Sequence, residues 1–251
     1  MTAIEVSGLS KSFGGFHALK NVSFSVADGE RRAIIGPNGA GKTTLFNAIA
    51  GQSPPTGGHV RIGAIDTTGA PPHIMWRHGL TRTFQRNQLF PSITVRDNVR
   101  LAAIAMHGIG GRLFSSLGRF PAVDDSVTDI LARVHLIGRQ DAVVRDLAYG
   151  EQRQLELALA LVRRPKILML DEPTAGMSPA ETQAMIALLG ELPRDVTLLI
   201  VEHDMDVVFA IADIVTVLHL GEVLTEGEPR AIQSDPRVVN VYLGRHAEDA
   251  T

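Results

Sequence analysis

Apolar and polar positions alternate in residues 3–6 (AIEV) and 22–26 (VSFSV), the period-two pattern of half-buried strands. Asp28-Gly29 marks a turn. Residues 31–36 (RRAIIG) read as a short apolar strand ending in glycine, and 42–51 (KTTLFNAIAG) as a helix closed by Gly51. A strand at 59–63, a short helix over 71–79 and a strand-like run at 80–85 follow.

From about Thr94 to Val162 the period becomes helical. Residues 94–106 (TVRDNVRLAAIAM) and 126–138 (SVTDILARVHLIG) have apolar spacing for helices, and 107–125 between them reads as a loop. Residues 145–161 (RDLAYGEQRQLELALAL) read as a glycine-capped helix start and an apolar-striped helix. A helical insertion of about residues 87–163 is expected. Strand signals resume at 166–173 (KILMLDEP) and 196–204 (VTLLIVEHD). These continuous apolar runs suit parallel strands buried on both faces. A helix over 178–192 lies between them, and 213–227 reads as two strands turning at Gly221. A short helix is expected at 235–244, so about 222–251 forms a hairpin and tail. The alternation predicts one α/β domain over 1–251, with a mostly parallel sheet and helices on both faces.

Composition narrows the class. With 45% hydrophobic and 20% charged residues, the 251-residue chain can build a substantial core. A net charge of −3 leaves no basic footprint and argues against a nucleic-acid partner. The absence of cysteine excludes disulfides and thiolate metal sites and suits a reducing compartment. The nearest candidate for a membrane span, 205–220, is broken by Asp206 and Asp213. The start, MTAIEVSGLS, lacks a basic region ahead of an apolar block, so no signal peptide is expected. A cytoplasmic protein is expected, touching a membrane only through partners. His73 and His78 read as solvated and Trp76 as a packing residue. The loop with Arg112 and Arg119 reads as solvated, or alternatively as a contact to anionic lipid or a membrane subunit.

Two motifs carry chemistry. Residues 36–43 (GPNGAGKT) fit G-x-x-x-x-G-K-[ST], after an apolar strand and opening a helix. Gly36, Pro37, Asn38, Gly39, Ala40 and Gly41 form a loop whose N–H groups converge on phosphate oxygens. The helix start at Lys42, Thr43 and Thr44 adds partial positive charge. Lys42 reaches the outer phosphates and the Thr43 hydroxyl is a Mg²⁺ ligand. The motif specifies a nucleoside triphosphate but not a reaction. Asp171 and Glu172 then end a buried strand. An Asp at this position holds Mg²⁺ in P-loop folds, and the following Glu can act as general base on water. The competing reading is two carboxylates that only terminate a strand before Pro173.

These motifs, with Gln85 closing a strand, LAYGEQ at 147–152, LMLDEPTAGMSP at 168–179 and IVEHD at 200–204, resemble an ABC-type ATPase in order and spacing. The resemblance covers nearly the whole chain. It implies a P-loop core with an antiparallel β subdomain and an inserted α-helical subdomain. It also implies that ATP is bound with Mg²⁺ and hydrolysed. Gln85 corresponds to the glutamine that senses Mg²⁺ at the membrane-domain interface, and His203 to the histidine that meets the γ-phosphate. Phe13 corresponds to the adenine-stacking aromatic, with Phe16 as a nearby competitor. Bland readings stand beside each: an exposed strand end for Gln85, a structural histidine for His203, a core residue for Phe13. Ser178, Pro179, Ala180 and Glu181 resemble the D-loop and also spell a capping box with proline at the first helical position.

In this family the helix start at Ala148, Tyr149, Gly150 and Glu151 caps the γ-phosphate bound by a partner subunit, through free N–H donors and the helix dipole. Here Leu-Ala-Tyr-Gly-Glu replaces the usual Leu-Ser-Gly-Gly-Gln, and Ala148 lacks the hydroxyl that would donate to phosphate. The variant is similar to one branch, the ATPases of importers for branched-chain amino acids and related amides. The segment 81–99, the long loop after Met106 and the ending 221–244 lean the same way. The branch implies a second ATPase subunit, in a homo- or heterodimer, two membrane permease subunits and a substrate-binding protein. It places the chain on the inner face of the membrane. The alternatives are an ABC transporter for another substrate, or a soluble ABC ATPase. A DNA-repair member needs a coiled-coil insertion for which the interval from Gln85 to Leu147 is too short.

Overall fold

The computed structural model describes residues 1–83, 89–106 and 121–243. They form two compact units. The first comprises Met1–Arg82, Lys166–Glu172 and the chain from Leu192 onward; the second comprises Thr83–Pro165 and Pro173–Glu191.

The first unit contains two sheets. Strands β1 (Thr2–Phe13), β2 (Phe16–Ala27), β4 (Gly57–Ile62) and β5 (Ile65–Asp66) form an antiparallel sheet in the order β2-β1-β4-β5. The second sheet has the order β10-β9-β3-β8-β7-β6, from β3 (Arg31–Ile35), β6 (Leu80–Arg82), β7 (Ile167–Asp171), β8 (Thr197–Val201), β9 (Ile214–His219) and β10 (Glu222–Gly227). Every pair in it is parallel except β9 with β10. All five residues of β3, β7 and β8 are buried, their apolar stretches on both faces and the polar Arg31, Arg32, Asp171 and Thr197 at their ends.

Helix α1 (Lys42–Ile49) lies in the larger core of this unit. Leu45, Phe46 and Ile49 pack there with Ile4, Leu9 and Leu19 of the antiparallel sheet and with Met169, Leu199 and Val201 of the parallel one. Helix α2 (Pro72–Arg77) adds Met75 to the same core. A second core joins Ala33, Ile35, Val215 and Val217 to α7 (Met205–Ile211), α8 (Pro229–Ser234) and α9 (Pro236–Leu243) through Val208, Ile232 and Val238.

The second unit is helical among its described residues: α3 (Val95–Met106), α4 (Pro121–Arg133), α5 (Tyr149–Leu161) and α6 (Pro179–Glu191). Helix α3 packs on α4 and α5, and α5 packs on α6. Thr94 starts α3 by accepting the Asp97 N–H at 3.0 Å and donating to its carboxylate at 2.7 Å.

Several boundaries differ from expectation. Residues 121–125, read as loop, open α4, because proline is well suited to a first helical turn. The same helix stops at Arg133, before the left-handed His135, rather than running to Gly138. The strand read to Gln85 ends at Arg82 within the described residues. Helix α5 is capped by Ala148, with Gly150 inside its first turn. Helices α7 and α8 were not anticipated; each is shorter than two full turns, too brief for a clear period, although Asp204 caps α7 by accepting the Asp206 N–H at 2.9 Å.

Arg31 and Arg32 look like exposed ends of a strand but are buried. Arg32 donates to Glu30 at 2.6 Å, to Thr216 at 2.9 Å, to the Ser25 carbonyl at 2.8 Å and to Glu226. One guanidinium thus ties β3 to β2, β9 and β10. Removing one partner of a buried charge network leaves the others uncompensated. Arg32→Ala is therefore expected to lower the unfolding free energy by about 3 kcal/mol. Urea denaturation would read this, and a loss below about 0.5 kcal/mol, the range of ordinary surface changes, would contradict it.

Candidate functional site

In the first unit the loop after β3 is shaped by close backbone contacts. A Cβ on Gly36 would lie 2.2 Å from the Leu218 carbonyl oxygen. Gly41 has φ +103°, and a Cβ there would lie 2.7 Å from the Ala18 carbonyl oxygen. Only glycine satisfies both the space and the conformation. Pro37 and Ala40 are buried while Asn38 and Gly39 are exposed. Lys42 folds back over the loop, donating to the carbonyls of Gly36 at 2.6 Å and Pro37 at 3.2 Å. Thr43 is exposed at the start of α1 and Thr44 half-buried. The capping residue of α1 is Gly41, with no side-chain cap, and its first turn carries no acid. Its N-terminal N–H groups are thus left without a carboxylate of their own, the arrangement that attracts an anion.

Asp171 is buried at the end of β7, and its Oδ2 accepts from Arg82 at 2.6 Å. Arg82 also donates to Asn47 at 2.6 Å and Gln52 at 2.9 Å, and lies 5.5 Å from the Phe46 ring centre. Sequence reasoning missed Arg82. The signal was a cation at the third position of a short strand, beside a strand whose end is acidic.

Glu172 follows with φ +48°, a left-handed conformation uncommon outside glycine. Its N–H is fixed by the Val201 carbonyl at 2.9 Å. Asp171 pairs with Val201 across β7 and β8, so residues just beyond the two strand ends are neighbours. Glu172 Oε1 accordingly lies 3.8 Å from His203 Nδ1. Glu202, fully buried, accepts the His203 N–H at 3.1 Å and also lies 3.8 Å from Nδ1. His203 therefore sits between two carboxylates. At 3.8 Å these are close approaches rather than hydrogen bonds.

Phe13 is 53% exposed at the tip of the β1–β2 hairpin, paired across it with Phe16, so it is not a core residue. Gln85 lies outside the described residues, as does the loop with Arg112 and Arg119.

In the second unit the start of α5 differs from expectation. Its N–H donors are not all free. Glu151 Oε2 accepts the Ala148 N–H at 2.9 Å, and Glu181 Oε1 accepts the Gly150 N–H at 2.8 Å. Glu181 Oε2 meanwhile accepts the Ser178 N–H at 2.9 Å and hydroxyl at 2.7 Å, so the capping box at α6 forms. The Ser178 and Gly150 donors hold the Glu181 carboxyl below its usual range. Tyr149 is a brace: its hydroxyl donates to the Ala175 carbonyl at 3.0 Å and accepts from Arg153 at 2.6 and 2.9 Å. Arg153 in turn holds Glu156 at 2.9 Å, countering the upward push that burial gives that carboxyl.

The chain is similar to known proteins over nearly its whole length. Residues 19–175 match the family described as ABC transporter. Residues 222–248 match a family described as branched-chain amino acid ATP-binding cassette transporter. The chain is 40% identical over 250 residues to a high-affinity branched-chain amino acid transport ATP-binding protein of Pseudomonas aeruginosa, covering 96% of this chain and 97% of the relative. It is 39% identical over 251 residues to the like-named protein of Escherichia coli, with 96% and 97% covered. Among solved structures, the ADP conformation of an ATP-binding cassette from an ABC transporter aligns with TM-score 0.85 and 30% identity, over 97% of this chain and 99% of that one.

Tyr149→Phe removes a hydroxyl that serves the Ala175 carbonyl and Arg153 together. It is expected to lower stability by about 1–2 kcal/mol, seen as a reduced urea midpoint at unchanged slope. An unchanged midpoint would mean the brace carries no energy.

Proposed function

The chain belongs to the ABC transporter family of ATP-binding cassettes, and we propose that it is the ATP-hydrolysing subunit of an importer for branched-chain amino acids or related amino acids and amides. The observation that carries the catalytic part is the convergence of Glu172 and His203 to 3.8 Å at the strand end that also bears Asp171. The substrate class is supported by the names of the relatives and by the match at 222–248.

On this reading Lys42 and the N–H groups of the 36–44 loop bind the triphosphate, with the uncapped start of α1 supplying partial positive charge. Phe13 offers an exposed ring for the adenine. Thr43, Asp171 and Gln85 hold Mg²⁺; a hydroxyl, a carboxylate and an amide oxygen are the hard donors that this ion takes. Mg²⁺, when bound, neutralises charge on the β- and γ-phosphates. Glu172 accepts the proton of a water whose oxygen attacks the γ-phosphorus as the bond to ADP breaks. His203 steadies the γ-phosphate. Ala148, Tyr149, Gly150 and Glu151 face the nucleotide of a second ATPase subunit, so closure depends on the γ-phosphate and hydrolysis reopens the pair. Two permease subunits and a substrate-binding protein complete the assembly at the inner membrane face. Among the described residues no helix is long and apolar enough to cross a membrane.

Glu172→Gln is expected to keep ATP affinity and lower turnover by about 10²–10⁴-fold, the usual worth of a general base. Lys42→Ala should instead abolish tight ATP binding. Nucleotide titration with single-turnover hydrolysis separates the two, and parental turnover in Glu172→Gln would remove Glu172 from its role. The transport role is tested by gentle solubilisation of native membranes. Two polytopic proteins and a second ATPase should co-purify; recovery only from the soluble fraction, with nucleic acid or ribosomes, would overturn it.

A further inference from the structure

Resting on the reading of α5 as the cap for a partner's ATP, we propose that Glu181 occupies the γ-phosphate's place on Gly150 and must be displaced before the cap closes. The geometry is specific. Glu181 Oε1 accepts the Gly150 N–H at 2.8 Å, and a Cβ on residue 150 would lie 2.7 Å from that oxygen and 2.9 Å from Cδ. Glycine at 150 therefore admits a carboxylate from within the chain as well as a phosphate from outside it.

The chemistry of the cap makes this occupancy matter. Ala148 contributes no hydroxyl, so the backbone N–H groups are what this helix start offers an anion. Glu151 holds the Ala148 N–H at 2.9 Å and Glu181 holds that of Gly150. Both occupants are anionic, and an incoming phosphate meets like charge as well as engaged donors. Glu151 is part of the helix's own capping arrangement and belongs to α5. Glu181 belongs to α6 and divides its two oxygens: Oε1 on Gly150, Oε2 on the Ser178 N–H and hydroxyl. It can release Gly150 and keep both bonds to Ser178, so displacement leaves the cap of α6 in place. The Ser178 and Gly150 donors hold its titration below the usual carboxylate range. Glu181 is thus a positioning residue that sets how much ATP the dimer demands, and it links occupation of the cap to the start of α6.

The test uses the full-length chain carrying Glu172→Gln, so that ATP persists, with and without Glu181→Gln or Glu181→Ala. The readout is the ATP concentration for half-maximal dimer by sedimentation velocity, beside thermal unfolding of each variant. Both Glu181 substitutions should lower that concentration by about three- to tenfold, the scale of a charge at a helix terminus, even where they lower the melting temperature. A purely structural cap predicts the opposite shift. If the parent dimerises and both variants need as much ATP or more, the gate is wrong and the cap stands. If neither parent nor variants associate at any ATP concentration, either alone or mixed with the second ATPase that co-purifies from membranes, the cap reading fails and the gate falls with it. The Gly150 amide resonance gives an independent check. It should follow an acid titration that Glu181→Gln abolishes, and a pH-insensitive amide would overturn the contact.

Discussion

The parallel register of β3, β8 and β7 is the constraint on which the candidate site depends. Ile34 pairs with Val201, and Val201 with Asp171, so the C-terminal ends of three strands come level. Whatever follows them is delivered to one edge of the sheet: the glycine loop, Glu172, and Glu202 with His203. Open α/β sheets place their ligands at this edge for the same reason. Strands apolar on both faces do not fix their own register through alternation, because a slip exchanges one apolar face for another. The polar residues at their ends do. Arg32 is pinned across β2, β9 and β10 near the start of β3, and Asp171 is pinned by Arg82 at the end of β7. The charged termini of buried strands thus hold the edge that bears the candidate site in alignment.

Two glycine-bearing helix starts in the chain are treated in opposite ways. The start of α1 carries no acid and no side-chain cap, and the cation Lys42 lies folded over the loop before it. The start of α5 carries Glu151 and receives Glu181. Helix geometry gives both the same orphan donors and the same partial charge. The difference is which side chains surround them. A bare start favours lasting occupation by an external anion, whereas a start already satisfied by carboxylates favours occupation that comes and goes. That contrast suits a nucleotide held throughout a cycle at one end and capped only in part of it at the other.

Much of this was legible in the sequence because the signals were local. The loop at 36–43 is a contiguous motif whose glycines answer to backbone sterics. The buried strands announce themselves by unbroken apolar runs, and the box at Ser178 and Glu181 by a three-residue spacing. What could not be read depends on contacts between segments far apart in the chain. Arg82 looks like a polar strand end until β6 pairs with β7 and brings it to Asp171. Gly150 looks like a cap glycine until α6 brings Glu181 against it. Tyr149 reads as a departure from the family's glycine that points to one branch; its hydroxyl gains a structural meaning from Ala175, 26 positions away. Phe13 could be placed in a core or at a tip until the hairpin register put it opposite Phe16.

Glu172 shows how the sheet supports chemistry at its edge. A non-glycine residue in the left-handed region carries a steric penalty of about 1–2 kcal/mol, and such strain persists only where surroundings over-determine it. Here the N–H is held by Val201, in register with Asp171, and Pro173 follows at once. The chain thus turns sharply after one carboxylate and aims the next toward His203 rather than continuing the strand. In an extended conformation, adjacent side chains point to opposite faces of a sheet, which would separate Asp171 from Glu172. The left-handed turn is what lets two consecutive acids serve the same edge, one beside Arg82 and the other beside His203.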